Sequence, residues 1–78
     1  MPRGMRILKE VAPNVYFWLD VDVYYDLKDI VVTDVEPRDP DGWIKLAMEL
    51  DLSKIVMVHG FTMMDYFQNL VSWEDVEE

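Results

Sequence analysis

His59 is the sole histidine, so any nucleophile that needs an imidazole base must work through it. It ends the apolar run Lys54-Ile55-Val56-Met57-Val58 and precedes Gly60, a place where a structural or loop-edge histidine is the ordinary finding. Ser53 and Ser72 read as a loop residue and a helix-end residue. Gly4, Gly42 and Gly60 are too scattered to build a phosphate-cradling loop. Cysteine is absent, which removes thiolate catalysis, thiolate metal sites and disulfides. No catalytic residue is assigned, and the chain is not expected to be an enzyme.

Carboxylates are the remaining chemical resource. Asp20 and Asp22 stand two residues apart, about 6.8 Å along one face of a strand, and Asp34 and Glu36 fall on the segment expected beside it. Hard oxygen ligands in such an array suit magnesium or calcium. Asp26-Leu27-Lys28 even resembles the acidic-x-lysine ending of some metal-dependent nuclease sites. Yet the neighbours of Asp20 and Asp22 are Trp18 and Tyr24 rather than further ligands, and no calcium-loop spacing occurs. No metal or cofactor is expected.

The charge is unevenly placed. The chain carries 16 acidic and 7 basic side chains, a formal charge of −9. Arg3, Arg6 and Lys9 are the only charges in residues 1–9, so residues 10–78 hold 16 acids against 4 bases, a balance of −12. Direct binding of nucleic acid needs clustered bases, and the acidic body would be repelled. Such a charge confers solubility; it also suits a basic partner protein. Glu10, Pro13 and Asn14 interrupt the basic N-terminus before a signal-peptide core forms, no apolar run approaches the roughly 20 residues of a membrane span, and cysteine is missing. A soluble, cytoplasmic protein is expected, with no membrane partner.

At 78 residues the chain predicts one domain, since folding at this size buries only about 60% of the extended chain's surface. No repeat, low-complexity block or Gly/Ser linker divides it. From Val15 to Leu27 the residues alternate. Val15, Phe17, Leu19, Val21, Val23, Tyr25 and Leu27 share one face, which predicts a strand with that face toward the core. Asp29 to Glu36 reads as its antiparallel partner through a short connection at Asp26–Asp29, and Arg6 to Val11 as a weaker N-terminal strand. Asp39 and Pro40 predict a helix start and apolar spacing carries it to Leu52, with Gly42 weakening the first turn. Lys54 to His59 reads as a further strand. Thr62 as cap, Asp65 and the staple pair Phe61 and Tyr66 start a second helix that places Met63, Tyr66, Phe67 and Leu70 against the sheet; a hairpin turning at His59-Gly60 is the competing reading. Residues 1–5 and 74–78 are expected to fray. The predicted fold is α+β in the order β-β-α-β-α: a small, mainly antiparallel sheet covered on one side by helices.

The opposite side of the long strand is the candidate site. Tyr16, Trp18, Asp20, Asp22, Tyr24 and Asp26 interleave rings with carboxylates and include no base, and Asp34 and Glu36 extend the acidic surface. Tyrosine and tryptophan supply large, stiff contact area at interfaces, while carboxylates at strand spacing steer the chain toward a basic groove. The alternative is that a helix or a second copy covers Tyr16, Trp18 and Tyr24 with the aspartates at the rim. Met48, Met57, Met63 and Met64 read as core filler.

In size, charge and face pattern the whole chain resembles the small acidic inhibitors that phages and mobile elements direct at host enzymes: anti-CRISPR proteins, anti-restriction DNA mimics and RNA-polymerase inhibitors. Immunity proteins and antitoxins that block a basic nuclease share the likeness. It includes no diagnostic motif, so no family residues are transferred. What it implies is an inhibitor that occludes the basic, nucleic-acid-binding surface of a larger protein by mimicry; a homodimeric assembly module is the alternative.

Overall fold

The computed structural model describes residues 1–50 and 60–77. Three antiparallel strands, β1 (Arg3–Ala12), β2 (Val15–Tyr24) and β3 (Asp29–Pro37), form a meander with β2 in the centre. Helices α1 (Gly42–Glu49) and α2 (Gly60–Leu70) and a last helical turn α3 (Trp73–Val76) follow. The α+β class is as predicted. The weaker N-terminal strand is instead a full ten-residue partner of β2, and the strand predicted over Lys54–His59 lies outside the described residues.

Strand β2 divides the molecule. Val15, Phe17, Leu19, Val21 and Val23 are at most 4% exposed, and every intervening residue is half-buried. Each of those apolar side chains contributes about 1.5–3 kcal/mol by leaving water. Leu46 of α1, Phe67 of α2 and Val76 of α3 are buried in the same core, with Met63, Tyr66 and Leu70 packed against it as predicted. Phe17 is its aromatic centre, with ring centroids 4.9 Å from Trp43 and 5.1 Å from Phe67.

The long alternation overruns the strand. Tyr25 and Leu27 are not core residues: β2 ends at Tyr24, and both sit in the connecting turn, 52% and 71% exposed. The turn closes with Lys28 in the left-handed region at φ 53°, as Asn14 closes the first at φ 63°. Strand β3 changes phase partway. Ile30 and Val32 point inward, then Val35 and Pro37, and an extra residue at Thr33 absorbs the switch in a bulge between the Asp20 and Val21 pairings. The Thr33 hydroxyl donates to the Asp20 carbonyl across the bulge at 3.2 Å.

Gln68 seals the outer edge of β3. The Val32 N–H donates to its Oε1 at 2.8 Å, and its Nε2 donates to the Ile30 carbonyl, so a side chain satisfies the backbone pair that an edge strand leaves open. At β1 the Tyr66 hydroxyl donates to the Val11 carbonyl at 2.9 Å, and burial raises this phenol above its ordinary value.

Both helix starts differ from expectation. Helix α1 begins at Gly42 behind Asp41, which makes no side-chain cap bond, rather than at Asp39-Pro40, and it ends at Glu49. The reason is a close approach: a Cβ at Gly42 would lie 2.5 Å from Cβ of Pro37, so only glycine lets the helix enter there. Helix α2 begins at Gly60, which sets aside the competing hairpin and places Thr62 inside the helix rather than at its cap. The C-terminal segment, predicted to fray, is a helical turn through Val76, which is 3% exposed. Its anchor is Asp75, which accepts from Ser72 N–H at 2.8 Å and from Lys9 Nζ at 2.9 Å.

Two expectations follow. Alanine at position 42 improves helix propensity by up to about 1 kcal/mol, but the clash with the rigid Pro37 ring costs about 1–3 kcal/mol. Gly42→Ala is therefore destabilising or at best neutral in urea unfolding, against the stabilisation that propensity alone predicts. Burial opposes ionisation of Asp75, but the bonds from Lys9 and Ser72 outweigh it and hold the carboxyl below its ordinary value. A depressed folded value gives stability above the unfolded value of about 3.9, lost as pH falls through the folded value. Asp75→Asn is accordingly less stable than the parent near neutral pH, and the gap between the two unfolding midpoints narrows from about pH 5 downward.

Candidate protein-binding face

The outward side of the sheet is built by register. Across from the β2 residues Tyr16, Trp18, Asp20 and Asp22, strand β1 places Glu10, Leu8, Arg6 and Gly4. On the other flank β3 places Glu36 beside Trp18, Asp34 beside Asp20, Val31 beside Asp22 and Asp29 beside Tyr24. None of these residues joins the hydrophobic core, and the described helices contribute their buried side chains to the other side of the sheet. Tyr16, Trp18, Asp20, Asp22 and Tyr24 thus share one half-buried, solvent-reached face, with Asp34 and Glu36 exposed next to them. The bulge at Thr33 makes this possible: it brings Asp34 and Glu36 outward after Val32 has pointed inward.

One predicted member does not share the face. Asp26 sits beyond the end of β2, exposed in the turn with Tyr25 and Leu27. The face also contains a base that the alternation of a single strand does not reveal. Arg6 Nε donates to Asp20 Oδ1 at 2.9 Å and Nη2 to Glu36 Oε2 at 3.0 Å, so one guanidinium spans all three strands. The same group stands 5.9 Å from the Trp18 ring centroid. Hydrogen bonds to Asp20 and then Glu36 raise the Arg6 pKa above its ordinary value. A second guanidinium, Arg38, lies 4.4 Å from the Tyr16 ring centroid, and its backbone N–H extends the ladder to the Tyr16 carbonyl at 3.0 Å. The Tyr16 phenol is raised by its hydrogen bond to Glu10 and by that carboxylate's charge.

Arg6 is legible only once β1 is paired with β2. The Pro13-Asn14 turn pairs Ala12 with Val15, and a register shift between Glu10 and Ala12 then sets Arg6 across from Asp20, a displacement the charge pattern does not announce. Even with Arg6 counted, the outward positions present Glu10, Asp20, Asp22, Asp29, Asp34 and Glu36 against it. Asp20 and Asp34 are directly opposed, an arrangement that is unfavourable unless a cation stands close. Arg6 stands there.

Among the described residues no group of His, Cys, Asp or Glu side chains is placed to hold a metal ion, and no helix is long and apolar enough to cross a membrane. Apolar groups at the rim, Leu8 at 43% exposure and Val31 at 38%, give the acidic face some dry contact area. The arrangement can do two things chemically: attract cations at long range, and stack planar or cationic groups on its rings. Comparison with protein-family models, curated proteins and solved structures finds no match.

If Arg6 is the internal counter-ion, Arg6→Gln lowers the thermal midpoint most at low salt, where Asp20 and Asp34 repel at full range. The difference from the parent shrinks toward about 1 M salt, where the screening length falls to about 3 Å. A salt-independent difference would mean that Arg6 acts by packing its alkyl stem alone.

Proposed function

We propose that this protein is a non-catalytic inhibitor that lays the outward face of its sheet on the basic, nucleic-acid-binding surface of a larger protein. The observation that supports this reading is one-sided burial: the rings and carboxylates of β2 are left outside the core, on the side of the sheet away from the described helices. A lone acidic surface serves solubility. An acidic surface with Trp18 at its centre and Tyr16 and Tyr24 toward its ends has the composition of a contact patch.

Occlusion follows from charge and shape together. A body of −12 draws the chain toward a positive groove, raising the association rate at low salt. Within the groove, Asp20, Asp22, Asp34 and Glu36 stand where phosphates would otherwise be neutralised, and the rings contribute the apolar surface of stacked bases. This agrees with the kind of small inhibitor that phages and mobile elements carry, and equally with an immunity protein or antitoxin against a basic nuclease. The cysteine-free composition suits a reducing cytoplasm. An isologous homodimer through the same face is disfavoured, because it would set one row of carboxylates against its own copy.

The test is capture on the immobilised protein from a bacterial lysate, followed by elution with duplex DNA. The expected result is a basic nucleic-acid-binding protein that DNA displaces, whose association slows as salt rises, and that the Asp22→Lys, Asp34→Lys double variant fails to retain although it folds. Retention by the double variant, or indifference to DNA, would contradict the proposal.

A further inference from the structure

The two edges of the sheet are finished differently. On β3, Gln68 takes up the Val32 N–H and the Ile30 carbonyl, the bulge at Thr33 breaks the line, and Pro37 ends it. Side-chain cover, bulges and proline all keep an edge strand from pairing with another chain. On β1 the ladder to β2 runs from Arg3 to Glu10 without a register shift or a proline, and β2 is its one strand neighbour among the described residues. The far end is closed, because the Tyr66 hydroxyl takes the Val11 carbonyl. A straight stretch, Arg6 to Glu10, therefore turns alternate backbone groups away from β2.

Charge selects what can pair along it. Residues 1–9 carry three bases and no acid in a chain of −9. Lys9 is already neutralised by Asp75, and Arg6 by Asp20 and Glu36, so this edge does not repel its own copy as the carboxylate rows of the outward face would. Two copies joined antiparallel about a twofold axis normal to the sheet keep outward residues beside outward residues, which leaves few registers to weigh. An axis at Arg6 or at Lys9 opposes like charges there, and an axis at Ile7 brings no opposite charges together. With Leu8 on the axis, Arg6 falls opposite Glu10 of the second copy on both sides of it. Such exposed pairs contribute little to affinity, but they decide between registers. Leu8, 43% exposed in the single chain, then packs against itself.

We infer that a second copy of this chain adds along β1 from Arg6 to Glu10, with Leu8 on the twofold axis, so that the two three-stranded sheets become one. Both outward faces then lie on the same side. Their rows of rings and carboxylates continue one another across the join instead of meeting. Nothing in this pairing depends on what the outward face binds.

The experiment follows sedimentation of the parent and of Leu8→Lys across a concentration series, and disulfide formation by Leu8→Cys against Leu27→Cys under one mild oxidant. The chain has no cysteine, so each variant carries a single thiol, and Leu27, 71% exposed in the turn after β2, reports random collision. Residues facing each other across an antiparallel pair stand about 4.5–5.5 Å apart at Cα, within disulfide reach. The expected result is a monomer–dimer equilibrium in the parent, a dimer about tenfold weaker in Leu8→Lys with an unchanged circular-dichroism spectrum, and cross-linking of Leu8→Cys about tenfold faster than that of Leu27→Cys. A parent that stays monomeric up to about 1 mM overturns the inference. So does a dimer in which Leu8→Cys cross-links no faster than Leu27→Cys, since its interface lies elsewhere. Should Leu8→Lys fail to fold, the two cysteine variants decide between these outcomes.

Discussion

Strand β2 is asked to be apolar on one side only, and the rest of the molecule follows from that. With inward residues from Val15 to Val23 all but sealed from water, the described helices have one place to pack, and Leu46, Phe67 and Val76 meet there. A sheet of three strands has a second face of equal size. Covering it would need a third layer, which a chain of this length can barely supply. That face is instead dressed for water and for contact, with carboxylates between rings.

Charge on such a face must be managed inside the chain before it can serve a partner. Asp20 and Asp34 are forced into opposition by the bulge, and Arg6 lies across them to Glu36. The contribution of exposed pairs of this sort to stability is small and salt-dependent. Their placement matters more, because the guanidinium joins Asp20 to Glu36 beside the Trp18 ring. Asp75 manages the other charged contact on a different principle. Half-shielded at the sheet's inward margin, it joins the C-terminal turn to Lys9 of β1, which is how a strongly acidic tail stays docked on an acidic protein.

The sequence carried the inward and outward sets of β2 in plain view, because a period of two on a central strand is decided by burial on one side. It carried α2 as well, through Met63, Tyr66, Phe67 and Leu70. Three features were out of reach for physical reasons. The alternation ran on into Tyr25, Asp26 and Leu27 because periodicity does not show where a chain turns; Lys28 with its positive φ does, and lysine is not a residue that announces such a conformation. Thr33 gave no sign of a bulge, since the parity change between Val32 and Val35 reads as ordinary irregularity until register is known. The N-terminal strand looked weak on its own: Met5, Ile7 and Val11 are a thin apolar set, and pairing with β2 supplies what propensity does not. The strand was expected from Arg6 to Val11 but its pairing with β2 was not, so Arg6 was not placed, and the face looked free of bases when it has one at its centre.

The most direct measurement of whether the outward face is open is hydroxyl-radical footprinting of the free protein across a dilution series, with oxidation read residue by residue. An open face predicts that Tyr16, Trp18 and Tyr24 react at rates independent of concentration while Phe17 and Phe67 stay protected. Protection of the three outward rings in the dilute monomer would show them sealed within the chain and contradict it.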